Sequence, residues 1–176
     1  MTIHTTYFGG LASHEPFGEA AVLGVVRYPQ DFVERITDRN IPAVAPPEEL
    51  LDAYKTVESA AEENGEPNPP AIAWESVAFE RRYREYLERP GPQTLLEELV
   101  ERARERDVWL VCWEKDARWC HRRLLAKEIV AQLDDADVEI VHHPDPSTIP
   151  IDAGDDEIDD QEETGPTLTD FAEGGA

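Results

Sequence analysis

This sequence predicts an α/β fold in three layers, a mostly parallel sheet of about four to five strands with helices on both faces. Two observations carry that expectation. The runs at 20–26 (AAVLGVV) and Val108–Cys112 (VWLVC) are continuously apolar, as strands covered on both faces of a parallel sheet are. Between such runs lie segments whose apolar residues recur at helical spacing.

Residues 3–8 read as a first strand and 20–26 as a second, closed by Arg27-Tyr28-Pro29. Pro29 suits the start of a helix, and Phe32, Val33 and Ile36 give that helix one apolar side. Pro42, Pro46 and Pro47 make 40–47 a loop. Leu50, Leu51, Tyr54 and Val57 mark a helix over 48–61, and NGEPNPP at 64–70 breaks the chain. A single helix is expected over 74–88, ended by Pro90-Gly91-Pro92. Thr94, with Glu97 three positions on, reads as the capping box of the next helix. Its arginines at 102, 104 and 106 suit a C-terminal end, where the helix dipole favours cations. Val108–Cys112 is a strand, 120–133 a helix with Leu124, Leu125, Ile129 and Leu133 on one face, and 137–142 a last strand. Residues 1–144 form the expected domain. From 145 to 176 the composition turns to acid, Gly and Thr, which predicts a disordered acidic tail.

The chain has 176 residues, 39 acids, 16 bases and a net charge of −23. Thirteen of the sixteen cations are Arg and only Lys55, Lys115 and Lys127 are Lys. An acid-rich, Lys-poor chain suits a high-salt, halophilic cytoplasm, where a Debye length of roughly 3 Å at 1 M screens self-repulsion. The same field argues against nucleic acid and anionic membrane as partners. Two cysteines make no disulfide framework, and no run resembles a signal peptide or a membrane span. A cytoplasmic protein is expected.

The informative stretch is VWLVCWEKDARWCHRRLLAKEIV, residues 108–130. A strand ends on Cys112, a polar loop carries Glu114 and Lys115, and Cys120, His121 and Arg122 open a helix. Ligands of open α/β sheets collect at the carboxyl ends of strands, where helix N-termini favour anions. Cys112 and Cys120 are candidate nucleophiles, Glu114 a base or orienting acceptor, and His121 an acid or base. Arg27, Lys115 and Arg122 are candidate ligands for an anion. Metal-binding cysteines usually come as tight C-x₂-C pairs. Here seven residues separate them, and adjacent Cys120-His121 is awkward on a helix, so neither metal nor cofactor is expected. Cys112 and Arg118 stand in C-x₅-R spacing, but a loop without Gly that carries Glu114 and Asp116 suits phosphate poorly.

Cys112-x-Glu114-Lys115 followed by Cys120-His121-Arg122 and Leu125-Ala126 resembles the DUF488 family motif C-x-E-K-x₄-C-H-R-x₂-[IL]-A. Val26-Arg27-Tyr28-Pro29 is similar to the family's D-V-R-x-[YF]-P segment, and Phe79–Leu87 to its tyrosine-bearing helix. The resemblance spans about residues 2–143 and implies a small α/β domain with its site at this motif. It marks a divergent, haloarchaeal-type member. The family's T-I-G-H-S segment is replaced by Thr6-Tyr7-Phe8-Gly9-Gly10, and its Asp by Val25. Two readings of function stay open. One is an enzyme acting on a small anionic substrate, nucleotide or phosphorylated. The other is a non-catalytic anion- or nucleotide-binding regulatory domain, which the lost His and Asp favour.

Overall fold

The computed structural model describes residues 1–14, 17–133 and 137–151. In chain order the elements are β1 (Thr2–Tyr7), α1 (Phe8–Leu11), β2 (Ala21–Gly24), α2 (Val33–Ile36), β3 (Arg39–Asn40), α3 (Glu48–Glu63), α4 (Pro69–Ser76), α5 (Phe79–Leu87), α6 (Pro90–Glu105), β4 (Val108–Cys112), α7 (His121–Leu133) and β5 (Glu139–His142). All five strands are parallel, in the order β3-β2-β4-β1-β5, and the fold is the expected three-layer α/β. No helix among the described residues is long and apolar enough to cross a membrane.

Every residue of β2 and β4 is buried, which accounts for their unbroken apolar runs. Side chains alternate along β4. Leu110 and Cys112 project to the face where α7 packs. Trp109 projects to the other, where His4 stacks on it at 4.3 Å between ring centres and Phe17 meets it edge-on. The adjacent histidines after β5 also separate: His142 bonds Thr5 Oγ1 at 2.7 Å, while His143 joins His4 and His14 beside Trp109.

Two helix expectations are corrected. Residues 74–88 are not one helix, because Ala78 adopts a left-handed φ of 49° and separates α4 from α5. Pro90-Gly91-Pro92 does not end a helix but opens α6, in the first turn, where the missing proline N–H goes unused. Thr94 therefore lies inside α6 rather than capping it, and its hydroxyl donates to the Pro90 carbonyl at 2.9 Å. Residues 145–151 close on the body through a short 3₁₀ turn, with the Ile149 carbonyl accepting from Arg118 at 3.0 Å. The remainder of the expected tail, 152–176, lies outside the described residues.

The exit of β2 is clamped by one amide. Asn40 Oδ1 accepts from the Val26 N–H at 3.2 Å, and its Nδ2 donates to the Val26 carbonyl at 3.0 Å. Gly24 makes room for it, since a Cβ there would lie 2.7 Å from Asn40 Oδ1. Asn40→Ala would leave both backbone groups of buried Val26 without these partners, a cost of about 1–3 kcal/mol. Thermal unfolding should show a loss of roughly 2–4 °C for each kcal/mol, and an unchanged Tm would contradict the clamp.

The histidine cluster sets a pH dependence. Burial, then the neighbouring His14, His4 and His142, push His143 down to about 4 from 6.5. Burial also lowers His4, against the opposing charges of Asp107 and Glu139. Between these pH values the unfolded chain takes up a proton that the folded cluster refuses, so this contribution to stability falls as pH drops from 6.5 toward about 4. Urea titrations across that window should show a shallower fall for His143→Asn than for the native chain. Parallel curves would remove the cluster as the cause.

Candidate functional site

The sheet order creates the site. After β2 the chain turns outward to β3, whereas after β4 it passes through α7 and over β1 to β5. Neighbouring strands β2 and β4 therefore send their connections in opposite directions, and a crevice opens at their carboxyl ends. A cavity of about 310 Å³ lies there. Arg27, Cys112, Glu114, Cys120 and His121 all line it, so one hollow gathers five of the seven residues expected from sequence.

Cys112 is the last residue of β4. Cys120 directly precedes α7, with extended φ −129° and ψ 135°. That conformation removes the expected obstacle: Cys120 and His121 are not two successive helical positions, and both side chains turn toward Cys112. His121 Nδ1 lies 3.9 Å from each sulfur. The three donor atoms all fall within 4.8 Å of one another. On its far side His121 Nε2 sits 2.7 Å from the Val25 carbonyl. A carbonyl only accepts, so Nε2 carries the proton and Nδ1 presents its lone pair to the sulfurs. The position where the family has Asp thus acts here through its main chain.

Both thiols are buried, and the charge on each depends on the other. The hydrogen bond to Cys120, and then burial, push the Cys112 thiol well up. Burial alone would raise Cys120 too. The hydrogen bond from Cys112 and the Arg122 charge oppose it and lower Cys120 from the usual thiol range. The surroundings thus favour the thiol form at Cys112 and the thiolate form at Cys120.

Arg122 and Lys115 do not line the cavity. Arg122 is fully buried, and its guanidinium donates to the Glu114 carbonyl and, at 2.9 Å, to the Lys115 carbonyl. It holds the 113–116 loop from beneath. Lys115 is exposed and takes part through its main chain. Arg27 lines the rim, with Nε and Nη2 spent on Pro46, Ala45 and Tyr86 oxygens. Its Nη1 makes no hydrogen bond among the described residues. Arg118, despite its C-x₅-R spacing, pairs with Asp116.

Helix α3 adds a wall that sequence reasoning missed. Lys55 Nζ donates to Glu58 Oε2 at 2.8 Å and to Glu114 Oε1 at 3.3 Å, tying α3 to the motif loop. Tyr54 donates to Glu58 at 3.1 Å, and burial followed by the Glu58 charge raises its phenol. Burial works against the Lys55 ammonium, but its bonds and charges with Glu58 and Glu114 raise it overall. One signal was available: Lys55 is one of three lysines in the chain. Aromatic rings complete the walls, Tyr54 and Phe79 within and Tyr28 and Trp113 at the exposed mouth.

No curated protein and no solved structure gives a significant match to this chain. The family profile DUF488-N3a, described as the active DUF488-N3 subclade, matches residues 6–133, well over half of the sequence. With the motif's cysteines, glutamate and histidine standing in one strand–loop–helix hollow, that match establishes that the chain belongs to the DUF488 family.

Proposed function

We propose that this chain is an enzyme acting on a small molecule that combines a flat ring with an anionic group, of nucleotide-like or phosphorylated kind, by nucleophilic attack from Cys120. The observation that carries the reading is the placement of two buried cysteines and an imidazole together on the floor of a mostly apolar, aromatic-walled cavity of about 310 Å³. Small-ligand sites are concave and apolar with a few convergent polar groups, and that volume suits a ligand no larger than a mononucleotide. The rings at 28, 54 and 113 offer stacking faces. The anionic end is assigned to Arg27, whose Nη1 has no hydrogen-bond partner among the described residues, rather than to Lys55, which is already engaged by two carboxylates.

The chemistry follows from the charge pattern. Cys120 Sγ attacks an electrophilic carbon of the ligand, an S–C bond forms as the bond to the leaving group breaks, and water then displaces the sulfur from that carbon and returns a proton to Cys112. The leaving group takes its proton from the Cys112 S–H. Glu114 orients the ligand from the rim. The matched profile is described as active, which favours this reading. The replaced His and Asp positions favour the alternative of a non-catalytic binding domain on the same hollow.

Thermal shift against nucleotides and phosphorylated compounds in concentrated KCl tests the reading. A ligand at 100 times its Kd should stabilise the chain by about 2.7 kcal/mol, roughly 5–10 °C at this size. Arg27→Ala should diminish the shift. Cys120→Ser should keep the shift and lose turnover. A shift with no product from the native chain would support the binding domain instead, and a flat panel would remove both readings.

A further inference from the structure

We propose that Cys112 Sγ, Cys120 Sγ and His121 Nδ1 form a binding site for one thiophilic divalent cation of the zinc class, and that occupancy of this site withdraws the Cys120 sulfur from electrophiles. The inference rests on the preceding reading only in taking that sulfur as the reacting atom. It adds a means of regulating it.

The geometry supports the site before any ion is considered. In a tetrahedral site with metal–sulfur near 2.3 Å and metal–nitrogen near 2.0–2.1 Å, the sulfur-to-nitrogen edge is roughly 3.6 Å. The two sulfur-to-nitrogen edges here are each 3.9 Å, a few tenths of an ångström from that value, and the two sulfurs lie within 4.8 Å of each other. The nitrogen is already in its ligating form, because the Val25 carbonyl holds the proton on Nε2. A metal-bound histidine gains orientation and basicity from just such a partner. All three side chains are buried, so the ion would sit behind the aromatic walls rather than at the surface.

The donor set selects the ion. Two sulfurs and an imidazole suit zinc, cobalt or cadmium, and they suit magnesium or calcium poorly. Binding displaces the Cys112 proton to solvent, and two thiolates then balance the two charges of the ion. The Arg122 charge stays beneath the 113–116 loop, on the Glu114 and Lys115 carbonyls, while the Glu114 side chain lines the cavity. Three protein ligands on a cavity floor leave the fourth position open to the hollow, where water or a ligand group completes the coordination. With its lone pair on the metal, Cys120 no longer attacks carbon.

The test uses the full reduced chain, stripped by a chelator and titrated with Co²⁺, then Zn²⁺, in concentrated KCl. The expected result is uptake of one Co²⁺ per chain with intense tetrahedral bands and thiolate-to-cobalt charge transfer. Zn²⁺ then bleaches those bands. One equivalent of Zn²⁺ abolishes alkylation of Cys120 by iodoacetamide. Cys112→Ser and His121→Asn each weaken uptake by about 100-fold or more. A weak octahedral spectrum, or alkylation unchanged by Zn²⁺, overturns the proposal, and both are read on the native chain whatever the variants do. If the chain turns over a ligand through Cys120 yet takes up no metal, the metal site alone falls. If it binds Co²⁺ as described yet turns over nothing, the enzymatic reading falls and the metal site stands.

Discussion

A buried guanidinium organises this molecule. Arg122 is fully buried, and its fork satisfies the carbonyls of Glu114 and Lys115 in the loop that leaves β4. Those carbonyls would otherwise turn inward beneath the loop without partners, and unpaired buried polar groups cost about 1–3 kcal/mol each. The same contact fixes where Cys112 and Glu114 stand relative to the start of α7. The charge that secures the backbone also acts on the sulfurs, lowering Cys120 against the burial that raises it. Structural anchoring and tuning of the thiol are thus two consequences of one side chain.

The sheet provides the hollow and the loop provides its chemistry. Because β2 and β4 are neighbours whose connections diverge, a crevice opens at their carboxyl ends. The wall opposite the motif comes from α3, through the Lys55 bridge to Glu114 and the Tyr54–Glu58 bond. The cavity is accordingly apolar along much of its wall, with Arg27, Asp52, Lys55 and Glu114 as its charged lining and the two sulfurs on its floor.

Much of this was legible in the sequence because it follows from periodicity and punctuation. The apolar runs of β2 and β4 and the polar loop before Cys120 placed Arg27, Cys112, Glu114, Cys120 and His121 on one edge, and the structure gathers them in one cavity. The direction of Arg122 was not legible, since ligand contact and loop anchoring look alike in a C-H-R string and differ only in the rotamer of a long side chain. Tyr54, Lys55 and Glu58 were missed because they reach the site from a helix some 59 residues upstream with no motif of their own. The break at Ala78 escaped because a left-handed alanine carries no local signal of the kind glycine supplies. The opposite error occurred at Pro90-Gly91-Pro92, where residues that often stop a helix begin one.

The DUF488 resemblance and the geometry meet at the thiol pair, and the account stands or falls on its charge state. Selective ¹³C labelling of the cysteine Cβ positions, followed by NMR through a pH titration, reads both sulfurs separately in the folded chain. The account predicts that Cys120 is already thiolate at neutral pH while Cys112 remains protonated above the ordinary thiol value of 9.0. Two resonances titrating together near that ordinary value would contradict it, and would leave the hollow without its reactive group.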